Sequence, residues 1–418
     1  MTQLNQSVWG HSSEQTKSHP TNWKTSLARR AFFSLLSKIQ YGHLLILDGN
    51  ESFVFGGAKS REISATIRIL DPSFYLLALL RGSIGAAEAY MKGYWHCENL
   101  TEVVRLFIRN QDLLKGFEGG IAHLGTATYQ LHHRFRKNTR RGSKHNISNH
   151  YDLGNDFFAL FLGPGMSYSC EVFPKNDSSM AEASREKNDR ICRKLKLSEQ
   201  DHLLEIGSGW GSFALHAARY YGCRVTTTTI SQQQYDWTLR LVHKAELANL
   251  ITVSLKDYRN LEGHYSKLAS IEMIEAVGHE YLKTYFQKCS QLLDPGGRMV
   301  IQSIAMADRH FENYRQSVDF IQSYIFPGCA LPSVGRIVET IAKKTDLAIL
   351  GLEDITSHYP PTLRNWRTRF LARVDQVRSL GYSDNFIRMW EFYFCYCEAG
   401  FLERHIQNFQ FSFAKPSY

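Results

Sequence analysis

One run of residues constrains the fold more than any other. An apolar strand-like segment, HLLEI (202–206), passes directly into Gly207-Ser208-Gly209-Trp210-Gly211, and a helical pattern follows over 213–221. Strand, glycine turn and helix open a βαβ unit, because glycine accepts the positive φ that so tight a turn demands. The alternation then continues. CRVTTTTI (223–230) predicts a second strand, 232–248 a helix, 251–255 a third strand, LASIEMI (268–274) a fourth and RMVIQSI (298–304) a fifth. A helix predicted over 281–293 is stopped by Asp294-Pro295-Gly296-Gly297. Strands alternating with helices give an α/β fold with a parallel, doubly wound sheet, which binds ligands beyond the carboxyl ends of its strands.

The glycine loop narrows the ligand. Its GxGxG spacing differs from the GxGxxG dinucleotide fingerprint, and no acidic residue ends the second strand to hold a nicotinamide ribose. An acidic residue two positions ahead of the first glycine, Glu205, instead fits the S-adenosylmethionine loop of Rossmann-like methyltransferases. Gly207 and Gly209 would face the methionine part of that cofactor. Ser231 to Gln234, after the second strand, would reach the ribose. The same glycines would also serve a purely structural βα turn.

At 418 residues the chain is too long for one core, since single cores rarely pass about 250–300 residues. The expected division is a flexible tail (1–20), an N-terminal α+β domain for lipid docking or assembly (21–130), a basic linker (131–145) and a catalytic domain (146–418). Short strand-like runs HLLILDG, SFVFGG and SATIRILD, with helical patterns over 73–80 and 100–108, mark the smaller unit. Eight cysteines are too dilute for a disulfide framework and lack zinc-site spacing, which points to reduced thiols and no metal.

The net charge of +9 is concentrated. No acidic residue lies between Glu14 and Asp48, where Lys17, Lys24, Arg29, Arg30 and Lys38 alternate with an apolar stripe of Trp23, Leu27, Phe32, Leu35, Leu36 and Ile39. A second acid-free stretch from Gly119 to Tyr151 carries Arg134, Arg136, Lys137, Arg140, Arg141 and Lys144. Such patterning predicts an anionic lipid surface as partner. Nucleic acid is not expected, because there is no (D/N)PPY motif and no basic platform interleaved with aromatics. A polar N-terminus and the lack of an apolar run of about 20 residues predict a cytoplasmic protein peripheral to the inner face of the membrane.

Longer motifs carry a resemblance. HYDLGNDFFALFLGPGMSYSC (150–170), LEIGSGWGSFALHAA (204–218), TISQQQ (229–234), YIFPGCALPSV (324–334) and FYFCYCEAGF (392–401) together resemble the cyclopropane-fatty-acyl-phospholipid synthase family and its mycolic acid relatives. The resemblance implies a class I methyltransferase sheet of seven strands, mostly parallel. It also implies methyl transfer from S-adenosylmethionine to the double bond of an unsaturated phospholipid acyl chain, giving a cyclopropane or a methyl branch. Cofactor residues carried over are Tyr168, Ser169, Glu205, Gly207, Gly209, Trp210, Gly211, Ser231, Gln234 and Asp257.

An alkene is a weak nucleophile, and the cation formed must be kept from water until a base removes a proton. In the family that base is a bicarbonate ion. The resemblance places Cys170, Glu275, Tyr324 and Cys397 around it. The chain departs from the family at two positions. Gln302 stands where a histidine is usual, and Ala276 follows Glu275 where the family has another histidine. Gln302 can donate to an oxyanion but cannot titrate. Without the resemblance, Glu275 could also read as a turn cap, while Tyr324 would read first as a core aromatic and Cys397 as a buried thiol. An amine N-methyltransferase and a lipid-binding homologue without catalysis are the rival readings, and a homodimer is left open.

Overall fold

The computed structural model describes residues 22–57, 62–111 and 153–418. The tail over 1–20 and the basic stretch over 119–151 lie outside the described residues. The chain divides into two compact units.

Of the described residues, the larger unit holds 153–316, 326–365 and 406–418. It is built on a seven-stranded sheet. Its strands, numbered in chain order after the four of the smaller unit, are β5 (His202–Ile206), β6 (Arg224–Thr229), β7 (Ile251–Leu255), β8 (Tyr265–Ile271), β9 (Leu293–Met306), β10 (Ala348–Asp354) and β11 (Ile406–Ala414). Their spatial order is β10-β11-β9-β8-β5-β6-β7. The pairs among β5 to β9 are parallel, while β11 runs antiparallel to both β9 and β10.

Both faces of this sheet are buried. Leu204, Ile206, Leu268 and Ile301 pack with Tyr285, Phe286 and Ile337 on one face. Leu203, Val225, Ala269 and Val300 pack with Phe213, Ala217, Ile191 and Leu195 on the other. Neighbouring residues such as Leu203 and Leu204 enter opposite cores, as the two-residue period of a strand requires.

The expected β5 and β7 match the observed bounds. The fourth strand does not, because it ends at Ile271 and Glu272 turns into the left-handed region at φ 47°. The helix after β6 runs only over Gln232–Lys244, and Glu246 takes φ 58° two residues on. β9 begins at Leu293, so the Pro-Gly turn expected to precede it lies within the strand, where pairing with β8 shifts register.

Of the described residues, the smaller unit holds 22–57, 62–111, Ser317–Ile325 and Trp366–His405. The expected contiguous domain over 146–418 is therefore interrupted twice. Helix α1 (Trp23–Leu36) precedes β1 (His43–Asp48), β2 (Glu51–Gly56) and β3 (Ser64–Ile69), then α2 (Ser73–Met91), β4 (Trp95–His96) and α3 (Leu100–Arg109). The four strands form a mixed sheet in the order β2-β1-β3-β4. The late helix Asp384–Leu402 packs against α2 and α3, and that packing draws the C-terminal segment into this unit.

The N-terminal stripe is narrower than its sequence suggests. Ala28, Phe32 and Leu36 are buried four residues apart, whereas Trp23 and Leu27 are 71% and 60% exposed. Arg29 is not an unpaired surface charge either. It pairs with Asp48 at 2.8 Å and Glu51 at 2.5 Å, and lies over the Phe53 ring.

Candidate active site

The glycine loop leaves β5 at its carboxyl end. Gly207, Gly209 and Gly211 all have positive φ, and the Gly207 and Ser208 amides donate to the Thr228 carbonyl on β6. This ties the turn to the sheet. A Cβ added at Gly211 would meet Thr238 at 2.7 Å, so that glycine serves helix packing. A Cβ at Gly209 would meet nothing within 4 Å, so the loop presents its bare backbone to open space there. Glu205 is buried and accepts from the Thr227 hydroxyl at 2.5 Å. Burial pushes its carboxyl up to about 8, partly opposed by the Thr227 bond and Lys187. A cationic ligand group nearby would restore its charge. Open backbone and a buried carboxyl short of positive charge both suit the methionine end of S-adenosylmethionine.

Other expected cofactor residues are engaged locally. Trp210 donates to Asn155 Oδ1 at 2.7 Å and packs on Phe158. Tyr168 joins the same aromatic group through Phe158 and Phe161, and also meets Phe326. Ser169 and Ser167 accept from the buried Lys187 ammonium at 3.0 and 2.6 Å, and Glu171 pairs with it at 3.1 Å. Lys187 lies on a helix, Met180–Leu195, that opens with a capping box of Ser179 and Glu182. Ser231 caps the Gln232–Lys244 helix, while the Gln234 side chain accepts from Thr229 at 2.8 Å. Asp257 is held by Arg259, at 2.8 and 2.6 Å.

Three expected catalytic residues converge within the larger unit. The Cys170 amide donates to Glu272 Oε1 at 3.0 Å, and its carbonyl accepts from Gln302 Nε2 at 3.1 Å. The thiol itself is buried, with a pKa raised well above normal by burial and by Glu272 and Glu171. The contacts of Cys170 with Glu272 and Gln302 are made by its backbone, not by its thiol. Glu275 lies in the turn after β8. Its Oε1 accepts from the Ile304 amide at 2.6 Å, and its buried Oε2 has no hydrogen-bond partner among the described residues. Burial and the charge of Glu272 push this carboxyl up to about 8.

Gln302 is fully committed. One Nε2 proton goes to Cys170 and the other to Glu272 at 2.9 Å, and its oxygen accepts from Gln410 at 2.9 Å. The expected donation to a bound oxyanion would require breaking one of these bonds, because an amide nitrogen has two protons.

Tyr324 and Cys397 belong to the smaller unit. The Tyr324 hydroxyl bonds Glu88, which also pairs with Arg81, and its ring stacks on Phe320 at 5.5 Å. The Cys397 thiol is raised by burial and by Asp319.

The residue that organises the site was missed in the sequence. Glu272 Oε1 receives the Cys170 amide, Gln302 and, at 2.5 Å, the Asn408 amide, while Oε2 receives the Tyr359 hydroxyl at 2.7 Å. The available signals were a carboxylate inside an apolar run, and Asn408 and Gln410 alternating with Phe409 and Phe411.

A glycine loop on this seven-stranded, mostly parallel sheet, with β11 antiparallel beside β9, is the architecture of a class I methyltransferase that uses S-adenosylmethionine. The family is narrower than that class. Residues 138–411 match the family described as mycolic acid cyclopropane synthetase, and the chain belongs to this family of cyclopropane fatty acid synthases. It is 36% identical to the tuberculostearic acid methyltransferase UfaA1 of Mycobacterium tuberculosis, over 79% of this chain and 78% of that protein. It is 32% identical to the cyclopropane-fatty-acyl-phospholipid synthase of Escherichia coli, over 86% and 90%. The mycolic acid cyclopropane synthase CmaA1 with SAH and CTAB superposes with a TM-score of 0.61 at 28% identity, covering 65% of this chain and 98% of that one. Among the described residues no helix is long and apolar enough to cross a membrane.

Proposed function

We propose that this enzyme methylates the double bond of an unsaturated fatty-acyl chain carried on phospholipid, at the surface of an anionic membrane. The observation that carries the reading is the pair Glu272 and Glu275 at the carboxyl end of β8, the one placed among neutral donors and the other buried with a raised pKa. Alkene methylation generates a cation. The Glu272 carboxylate, which receives only neutral donors, suits that cation.

S-adenosylmethionine supplies the methyl group on a cationic sulfur. The chain's own residues do the rest. Gly207 to Gly211 and Glu205 would hold the methionine end, with Tyr168, Ser169, Trp210, Ser231, Gln234 and Asp257 shaping the remaining walls. The aromatic group of Phe157, Phe158, Phe161 and Tyr168 excludes water. Cys170, Gln302 and Glu275 arrange the charge. The product is a cyclopropane or a methyl-branched chain.

Docking is assigned to the exposed Trp23 and Leu27 of α1 with Lys24 and Arg30 beside them, a small apolar and cationic face suited to anionic headgroups. The decisive experiment supplies the purified enzyme and methyl-labelled S-adenosylmethionine with unsaturated phospholipid vesicles or with soluble amines. Label in the acyl chains supports the reading, and label only in the amine refutes it.

A further inference from the structure

Four neutral donors meet on one carboxylate in this site. The Cys170 amide, the Gln302 and Asn408 side-chain amides and the Tyr359 hydroxyl all point at Glu272, from four separate stretches of chain. Such a cradle is what a small oxyanion requires, and here a side chain of the protein fills it. The backbone is shaped to deliver that side chain. Glu272 holds φ at 47°, a conformation uncommon for residues other than glycine, and its amide is anchored to the Gln302 carbonyl at 2.8 Å.

We infer that the Glu272 carboxylate occupies the seat of the diffusible base and is itself the proton acceptor, so that this enzyme works without bicarbonate. The inference rests on the proposed methylation of an acyl double bond. After the methyl carbon has bonded to one alkene carbon, the other carries the positive charge. A C–H bond of the alkylated segment then breaks. Its electron pair neutralises the cation, and its proton passes to a Glu272 oxygen. Protons beside a carbocation are strongly acidic, so a carboxylate takes one downhill, and placement rather than basicity limits the step.

A bound bicarbonate is disfavoured for two reasons. Its donors are already used, since both Gln302 protons and the Cys170 amide are committed. A second anion beside Glu272 would also suffer like-charge repulsion, the effect that already helps raise Glu275. The four donors are neutral and leave the charge of Glu272 available to the cation.

The test uses the full-length enzyme, methyl-labelled S-adenosylmethionine and unsaturated phospholipid vesicles, in buffer stripped of carbon dioxide and then supplemented with bicarbonate. The wild-type rate is expected to be the same in both buffers. Glu272→Gly suits the positive φ and empties the seat. It is expected to lose about a hundredfold in stripped buffer, the scale of a lost general base, and to recover in part with bicarbonate. Glu272→Gln keeps the seat filled with a neutral group, so it should bind cofactor by calorimetry, stay inactive and not be rescued. The inference is overturned if the wild-type rate collapses in stripped buffer, if Glu272→Gly is fully active there, or if a folded, cofactor-binding Glu272→Gly is never rescued. No methyl transfer by the wild type under any condition would instead refute the proposed function.

Discussion

Gln302 on β9 and Gln410 on β11 face each other across an antiparallel pair, and the Gln410 amide donates to the Gln302 oxygen at 2.9 Å. Lys194 in turn donates to Gln410. The usual histidine position is thus occupied by a link in a chain of neutral amides that starts at a lysine and ends on Glu272. Gln302 cannot relay a proton, but it fixes where Glu272 lies.

Replacing Gln302 with leucine should therefore harm both stability and rate. The substitution orphans the Cys170 carbonyl and the Gln410 amide and strips one donor from Glu272, at about 1–3 kcal/mol for each buried group left unpartnered. Urea denaturation should show a loss of about 2–5 kcal/mol. Activity should fall while calorimetric cofactor affinity holds. Unchanged stability would mean that the amide chain is not formed.

Stability should also fall as pH rises from mildly acidic to alkaline. Glu275 and Glu205 are both pushed up to about 8, so between their ordinary range and that value the folded state binds protons that the unfolded chain has released. Their contribution is complete below the ordinary carboxylate pKa and is gone once pH passes about 8. Glu275→Gln should flatten the slope between these limits in denaturation series. A slope identical to wild type would show that Glu275 titrates normally.

Two glycines of one loop should respond differently to alanine. Gly211→Ala drives a Cβ into Thr238 at 2.7 Å as well as forcing φ 90°, so it should destabilise the fold. Gly209→Ala meets no protein atom and keeps a milder φ of 49°. It should cost about 1 kcal/mol in stability, yet weaken S-adenosylmethionine binding more than that. Calorimetry on both variants separates the two effects, and intact affinity in Gly209→Ala would remove the loop from the cofactor site.

The parallel part of the fold was legible because its strands are short apolar runs broken by glycine, and β5 and β7 fall where the pattern puts them. Where tertiary structure overrides the pattern, the sequence reading failed. The run LASIEMI looks like one strand, but four partners from distant segments pull Glu272 out of it at Ile271. The alternation of Asn408 and Gln410 with Phe409 and Phe411 marks a strand but not its partner, and Tyr359 carries no local signal of function, since their meaning comes from pairing across β9 and β11 and from the turn after β10. Arg29 misled for the converse reason, being counted as a lipid-facing charge until Asp48 and Glu51 are seen to hold it.

Membrane docking through α1 should be weak and salt-sensitive. Trp23→Ser with Leu27→Ser removes exposed apolar groups and no buried contact, so the melting temperature should hold while association with anionic vesicles falls. Raising ionic strength should weaken the wild type in the same way, because surface charges are screened within about 8–10 Å. Vesicle binding that is unaffected by both changes would move the docking surface elsewhere.

The central claim is that the carboxylate pair serves methylation of lipid acyl chains. It is tested most directly by expressing the enzyme in cells rich in unsaturated phospholipid and analysing their fatty acids by mass spectrometry, beside cells making Glu275→Gln. The account predicts unsaturated chains converted to products one methylene heavier by the wild type and not by the variant. An unchanged fatty-acid profile from folded, cofactor-binding wild-type enzyme would contradict it.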